Sequence, residues 1–168
     1  MVIAYTGKPG AGKTLSAVRY IVKDRRQTVF SNVKLEIPNK NIVEILPSNV
    51  QDLKKLRDGI VFIDEANFVF SSRFWSRIPK DLIQFWAMHR KRGVDLILTS
   101  HSLKRIDIIL RELVSYEIRC KTLLNGVFVV NNWYDVDYAD KVKTSVFFGA
   151  RFYKYYDTFE IVTNSAWV

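Results

Sequence analysis

Residues 7–14 read Gly7-Lys8-Pro9-Gly10-Ala11-Gly12-Lys13-Thr14, the pattern of glycine, four variable residues, glycine, lysine and serine or threonine. This pattern is typical of a phosphate-binding loop, because glycines let successive backbone N–H groups point inward at phosphate oxygens. We expect Lys13 to reach the β- and γ-phosphates of a nucleoside triphosphate and Thr14 to place its hydroxyl on Mg²⁺. The loop therefore predicts a site for ATP and Mg²⁺.

The residues on either side of the loop support this interpretation. The apolar run from Val2 to Tyr5 predicts a short strand before the loop, and Leu15, Val18 and Ile21 have the spacing of one helix face after it. A glycine loop between a strand and a helix is the context in which this motif binds phosphate. The alternative is a glycine turn with a solvated lysine.

A second motif lies at the end of the apolar run Ile60-Val61-Phe62-Ile63, which is followed by Asp64 and Glu65. A continuous apolar run predicts a strand that is covered on both faces, and ligands lie at the carboxyl ends of parallel strands. We expect Asp64 to hold Mg²⁺ opposite Thr14, and Glu65 to act as the general base that activates water. The alternative is a pair of acids that caps a loop.

The run from Val94 to Thr99 predicts a further strand, inserted between the first strand and the strand that ends at Asp64. The expected fold is therefore α/β: a P-loop NTPase with a mostly parallel sheet of the additional-strand, catalytic-glutamate (RecA/AAA-like) type and helices on both faces. Thr99 and Ser100 are candidate sensors of the γ-phosphate, with His101 behind them. Alternatively they only cap the next helix, which the apolar spacing predicts from Leu103 to Leu113.

Several other segments give expectations of their own. Ser48 and Gln51 form a capping-box pattern for a helix that Gly59 can close, and Pro79 begins another helix. The segment Arg73-Phe74-Trp75-Ser76-Arg77 interleaves arginines with aromatic residues, which suits packing, nucleic-acid stacking or an arginine supplied to a neighbouring subunit. His89 is interpreted as a packed helix residue, not a metal ligand.

The whole chain limits the class of protein. Its 168 residues suit one domain, divided into a P-loop core over 1–125 and a β-rich, aromatic extension over 126–168 that begins at the hairpin signal Asn125-Gly126. The formal charge of +9 favours an anionic partner such as single-stranded DNA. Cys120 is the single cysteine, and no apolar run is long enough to cross a membrane. We expect a cytoplasmic location, or one at the cytoplasmic face of a host inner membrane.

The loop, the Asp64-Glu65 strand, Arg73-Phe74-Trp75 and the helix carrying Trp86, His89, Arg90 and Gly93 together resemble the N-terminal ATPase domain of the zonular occludens toxin family. That family includes the inner-membrane assembly ATPases of filamentous bacteriophages. The resemblance implies an ATP-hydrolysing motor of virion assembly, which extrudes single-stranded DNA and meets coat or assembly proteins at the host membrane. The family's ATPase domain is followed by a transmembrane helix, and this chain has no such segment.

Two alternatives remain open beside this motor. One is a DNA-packaging or translocating ATPase not tied to a membrane, and the other is a non-catalytic nucleotide-binding scaffold. A kinase or GTP switch is less favoured, because Glu65 suits water activation and no Asn-Lys-x-Asp motif occurs. We expect a homo-oligomeric ring, for example a hexamer, in which an arginine completes the neighbour's site. Arg111 and Arg119 rank slightly above Arg73, Arg77 and Arg105.

Overall fold

The structure is a computed structural model that describes residues 1–47, 49–71 and 80–157. The arginine and aromatic segment at 73–77, together with Ser48 and Pro79, lies outside the described residues. Within them, no helix combines the length and apolar character needed to cross a membrane.

One mixed sheet organises the described chain. Its strands are β1 Val2–Thr6, β2 Thr28–Ser31, β3 Asn41–Glu44, β4 Gly59–Ile63, β5 Val94–Ser100, β6 Tyr116–Leu123, β7 Phe128–Asp135 and β8 Lys141–Phe148. Their order across the sheet is β3-β2-β4-β5-β1-β6-β7-β8. The neighbours from β3 to β6 pair in parallel, whereas β7 and β8 are antiparallel. The predicted α/β fold, with a strand inserted between β1 and β4, is confirmed.

Helices cover both faces of the sheet. They are α1 Lys13–Lys23, α2 Val50–Lys55, α3 Ala66–Val69, α4 Lys80–Ala87 and α5 Ile108–Glu112, with short 3₁₀ turns at His89–Arg92, Leu103–Arg105, Gly149–Arg151 and Tyr153–Tyr155. On the central strands, alternate residues belong to opposite cores, because a strand's side chains point to the two faces in turn. Ile3 and Phe62 join α1 in one core, whereas Ala4 and Ile63 join α2, α4 and α5 in the other.

Two local predictions are wrong. Gly59 does not close a helix, since α2 ends at Lys55 and Gly59 begins β4. A Cβ at Gly59 would lie 2.8 Å from the Thr28 carbonyl oxygen, so close contact between strands explains this glycine.

The helix predicted from Leu103 to Leu113 is also interrupted. Ile106 forms a bridge to Ser71, and the Asp107 N–H donates to the Phe70 carbonyl oxygen at 2.8 Å. The Asp107 carboxylate then accepts from the Ile109 N–H at 2.9 Å and starts α5 afresh.

Candidate nucleotide-binding site

The phosphate-binding loop connects β1 to α1 and is braced by the strands beyond it. Gly12 has φ 80°, in the left-handed region, and is the residue just before α1. A Cβ at this position would also lie 3.0 Å from Val129 Cγ1 on β7. The Thr122 hydroxyl donates to the Gly10 carbonyl oxygen at 3.3 Å. The loop conformation therefore depends on β6 and β7 as well as on its own glycines.

Lys13 and Thr14, the last residues of the motif, begin α1. Lys13 is buried, and its Nζ donates to the Lys8 carbonyl oxygen at 3.3 Å across the loop. The Thr14 hydroxyl donates to Asp64 Oδ1 at 2.9 Å, although the two residues are 50 positions apart. The structure thus brings the P-loop and the end of β4 together, as expected from the sequence.

Asp64 is the most constrained carboxylate of this site. It is 8% exposed, and burial raises the pKa of its carboxyl above the usual range. Hydrogen bonds from Thr99 and Thr14 and the charge of Lys13 oppose that rise in pKa, whereas the charge of Glu65 adds to it. A buried carboxylate that receives hydroxyl groups and lies near a lysine is suited to bind a cation.

Glu65 follows Asp64 in an unusual backbone conformation, with φ 50° and ψ 48°. Few residues other than glycine adopt this left-handed region, and here it turns the chain from β4 into α3. The Glu65 N–H donates to the Thr99 hydroxyl oxygen at 2.8 Å. Glu65 Oε2 lies 3.7 Å from His101 Nδ1, and among the described residues neither buried atom has a hydrogen-bond partner.

Asn32, which the sequence analysis missed, holds the same turn from the neighbouring strand. Its amide oxygen accepts from the Asp64 N–H at 2.7 Å, and its amide nitrogen donates to the Asp64 carbonyl oxygen at 3.0 Å. Asn32 comes directly after β2, which is the neighbour of β4 in the sheet. A polar residue at a strand's carboxyl end is the signal that could have indicated it.

A cavity of about 290 Å³ opens in front of these groups. It is lined by Pro9, Gly10, Gly12, Lys13, Thr14, Leu15, Val33, Asp64, Glu65, His101, Thr122, Gly126, Tyr153, Tyr156 and Asp157. Small-molecule sites have volumes of about 300 Å³ upward, so this cavity has the size of a compact ligand site. Gly7, Lys8 and Ala11 instead line a second cavity on the other side of the loop, which Pro9 and Gly10 also border.

The two candidate sensor residues have different surroundings. Thr99 is fully buried behind Asp64, to which its hydroxyl donates at 2.6 Å. The Ser100 hydroxyl lies 3.0 Å from both Asn67 Oδ1 and the Ser102 carbonyl oxygen. Neither side chain lines the cavity, whereas His101 does.

The two favoured arginines lie in different places. Arg119, on β6, borders the second cavity beside the loop; its guanidinium pairs with Glu117 at 2.9 Å and stacks 4.3 Å from the Tyr134 ring centre. Arg111, on α5, lies shortly before the amino end of β6, where the Ser115 N–H donates to the Val2 carbonyl oxygen. Of the two, Arg119 is the one beside the phosphate loop.

The sequence profile of the family described as "Zonular occludens toxin (Zot)" matches residues 1–166. The chain belongs to the Zot family. The crystal structure of the N-terminal domain of zonular occludens toxin from Neisseria meningitidis superposes with a TM-score of 0.72 and 22% identity, covering 93% of this chain and 98% of that one. The family resemblance seen in the sequence is therefore confirmed.

Other similar proteins come from viruses. The Gene 1 protein of Enterobacteria phage I2-2 is 26% identical to this Zot-family chain, over 73% of the chain and 40% of the phage protein. The chain thus spans well under half the length of that relative. B204, the DNA-packaging ATPase of Sulfolobus turreted icosahedral virus, has a TM-score of 0.59 at 12% identity, covering 86% of this chain and 95% of B204. This second likeness shows a shared fold.

Proposed function

We propose that this Zot-family chain hydrolyses ATP with the help of Mg²⁺. The observation that supports the proposal most strongly is the convergence of three elements at one cavity. The P-loop supplies Lys13 and Thr14, β4 supplies Asp64 and Glu65, and β5 supplies Thr99 behind them. A phosphate cradle that faces a carboxylate pair is the arrangement that phosphoryl transfer to water requires.

The Thr14 and Asp64 oxygens fit a magnesium ion. Both are hard oxygen donors, and at 2.9 Å they are close enough to serve one cation, directly or through water. Since the hydroxyl of Thr14 donates its proton to Asp64, its lone pairs remain available for a metal. Mg²⁺ bound there would neutralise charge that develops on the phosphates during the reaction.

Each remaining role falls to a residue of this chain. The backbone N–H groups of residues 8–14 and the ammonium of Lys13 bind the phosphate oxygens. Glu65 accepts a proton from a water molecule as that water attacks the γ-phosphorus, and the bond to the bridging oxygen breaks to leave ADP and phosphate. Thr99 and Asn32 position Glu65 by holding the backbone on either side of its peptide bond to Asp64.

At the level of the whole protein, we propose that this activity drives virion assembly or DNA export. The support is the Zot family, the filamentous-phage relative and the formal charge of +9, which suits a nucleic-acid partner. The remaining length of the relative leaves room for membrane attachment and for contacts with coat or assembly proteins. A ring of identical subunits, for example a hexamer, would let an arginine of one chain act at the next chain's site.

The test is phosphate release from Mg²⁺-ATP, measured with and without single-stranded and double-stranded DNA. Lys13→Ala is the negative variant, and Lys23→Ala at the far end of α1 is its matched control. We expect turnover by the wild type and by Lys23→Ala, stimulation by DNA, and loss of most ATP binding in Lys13→Ala. Tight ATP binding without turnover would instead favour the nucleotide-binding scaffold.

A further inference from the structure

The cavity has a second wall that the Walker motifs do not supply. Tyr153, Tyr156 and Asp157 line it together with Gly126, the turn glycine between β6 and β7. These residues belong to a short segment, 149–157, that follows β8; we call it the C-terminal segment. It reaches the same cavity as Lys13 and Thr14 although it lies more than a hundred residues later in the chain.

The C-terminal segment is anchored along its length. The Gly149 N–H donates to the Val127 carbonyl oxygen at 2.9 Å, and a Cβ at Gly149 would lie 3.1 Å from Leu15 Cδ2. Farther along, the Glu36 N–H donates to the Tyr155 carbonyl oxygen at 2.8 Å. Tyr156 forms a bridge with Leu35. The segment is therefore tied to the turn after β6 at one end and to the chain after β2 at the other.

The character of this wall differs from that of the phosphate cradle. Leu15 is the residue after Thr14, and it forms a small apolar cluster with Val129 and Phe147, against which Tyr156 packs. The Tyr153 side chain stays 43% exposed. Its hydroxyl would lie 3.7 Å from a Cβ placed on Gly126. An aromatic ring thus borders the cavity beside an apolar patch, next to the loop that holds phosphates.

We propose that the C-terminal segment is the nucleobase-binding wall, with Tyr153 as the ring on which the base stacks. This inference rests on the proposed function, since it names the part of the nucleotide that this side of the same cavity binds. Every nucleobase presents a flat π-face, which an exposed tyrosine can cover without a change in the backbone. The backing by Leu15 and Tyr156 keeps this wall in place while one face of Tyr153 remains available.

The test compares two ligands by isothermal titration calorimetry. ATP carries a base and three phosphates, whereas inorganic tripolyphosphate carries the phosphates alone. Base stacking on an aromatic ring predicts that Tyr153→Ala weakens Mg²⁺-ATP binding by about 5- to 150-fold. Tripolyphosphate binding should stay within about twofold of wild type, because the cradle of residues 8–14 is untouched.

Two further variants sharpen the result. Tyr153→Phe keeps the ring and should bind ATP as the wild type does. Tyr138→Ala removes a tyrosine that is 78% exposed in the turn between β7 and β8, at the opposite end of those strands, and should change neither affinity.

The outcomes separate this inference from the proposed function. A selective loss of ATP affinity in Tyr153→Ala supports the nucleobase wall. Unchanged ATP affinity, or an equal loss for both ligands, overturns it while leaving the phosphate site intact or merely distorted. A wild-type protein that binds neither ATP nor tripolyphosphate contradicts the proposed function itself, and the wall with it.

Discussion

Thr99 donates its hydroxyl hydrogen to Asp64 Oδ1 at 2.6 Å, and the same hydroxyl oxygen accepts from the next residue's N–H at 2.8 Å. One side chain on β5 therefore fixes both the carboxylate proposed to bind Mg²⁺ and the backbone of the carboxylate proposed to activate water. The inserted strand makes this contact possible, since it places β5 between β4 and β1.

Thr99→Val keeps the shape of this side chain and removes both hydrogen bonds. The Glu65 N–H then loses its acceptor, and we expect a loss of about 1–3 kcal/mol in the free energy of unfolding. Chemical denaturation measures that loss, and steady-state turnover should fall with it. Thr99→Ser retains the hydroxyl and serves as the control. Equal stability in Thr99→Val and wild type would contradict this role.

Asp64→Asn tests the burial of the carboxylate. Because the pKa of Asp64 is raised in the folded state, the native protein binds its proton more tightly than the unfolded chain does. The free energy of unfolding therefore falls as pH rises from about 3.9, the unfolded value, through the raised folded value. At pH 7 the full cost is present, so removing the charge should raise Tm by roughly 2–4 °C, the shift for about 1 kcal/mol.

Differential scanning calorimetry at pH 7 without Mg²⁺ measures this Tm. The same variant should lose the extra Tm that Mg²⁺-ATP gives the wild type, because the cation site is gone. A lower Tm for Asp64→Asn than for wild type, or full stabilisation by Mg²⁺-ATP, would argue against the assignment.

Asn32→Ala removes two hydrogen bonds to the backbone of Asp64. We expect a destabilisation of about 1–3 kcal/mol and a drop in kcat that exceeds any rise in KM for ATP, because Glu65 follows the released peptide. Urea unfolding and steady-state kinetics test the two effects separately. If KM rose and kcat stayed constant, Asn32 would be acting on nucleotide binding and not on the catalytic turn.

Arg119 is the better placed of the two favoured arginines for a shared site, because it borders the phosphate loop. Turnover per chain should rise with protein concentration, and mixing Arg119→Ala with Lys13→Ala chains should restore part of the lost activity. Arg111→Ala is the matched comparison. No restoration in the mixture, with turnover independent of concentration, would rule out Arg119 as a residue supplied to a neighbour.

The motifs that form the phosphate side of the site are local, which is why the sequence was enough to predict them. The P-loop, the strand before it and the acids after β4 depend on short-range spacing, and the apolar runs indicated which strands are buried. Placing Thr99 behind Asp64 and directing Ser100 to Asn67 follows from the alternation of side chains along β5, once the neighbouring strands are known.

Contacts that depend on distant pairing were beyond the sequence. Asn32 reaches Asp64 only because β2 lies beside β4, and no spacing in the chain specifies that neighbour. Tyr153 reaches the cavity only because β7 and β8 return the chain to the phosphate loop. The aromatic density near residue 150 indicated an edge strand or an interface, and β8 is indeed the edge strand.

The central claim is tested most directly by single-turnover hydrolysis of Mg²⁺-ATP by Glu65→Gln beside the wild type, with ATP affinity measured on the same samples. Glutamine keeps the size of the side chain and cannot accept the proton from water. The account predicts ATP affinity within a few-fold of wild type and hydrolysis slowed by about 10²-fold or more. Hydrolysis at the wild-type rate in Glu65→Gln would contradict it.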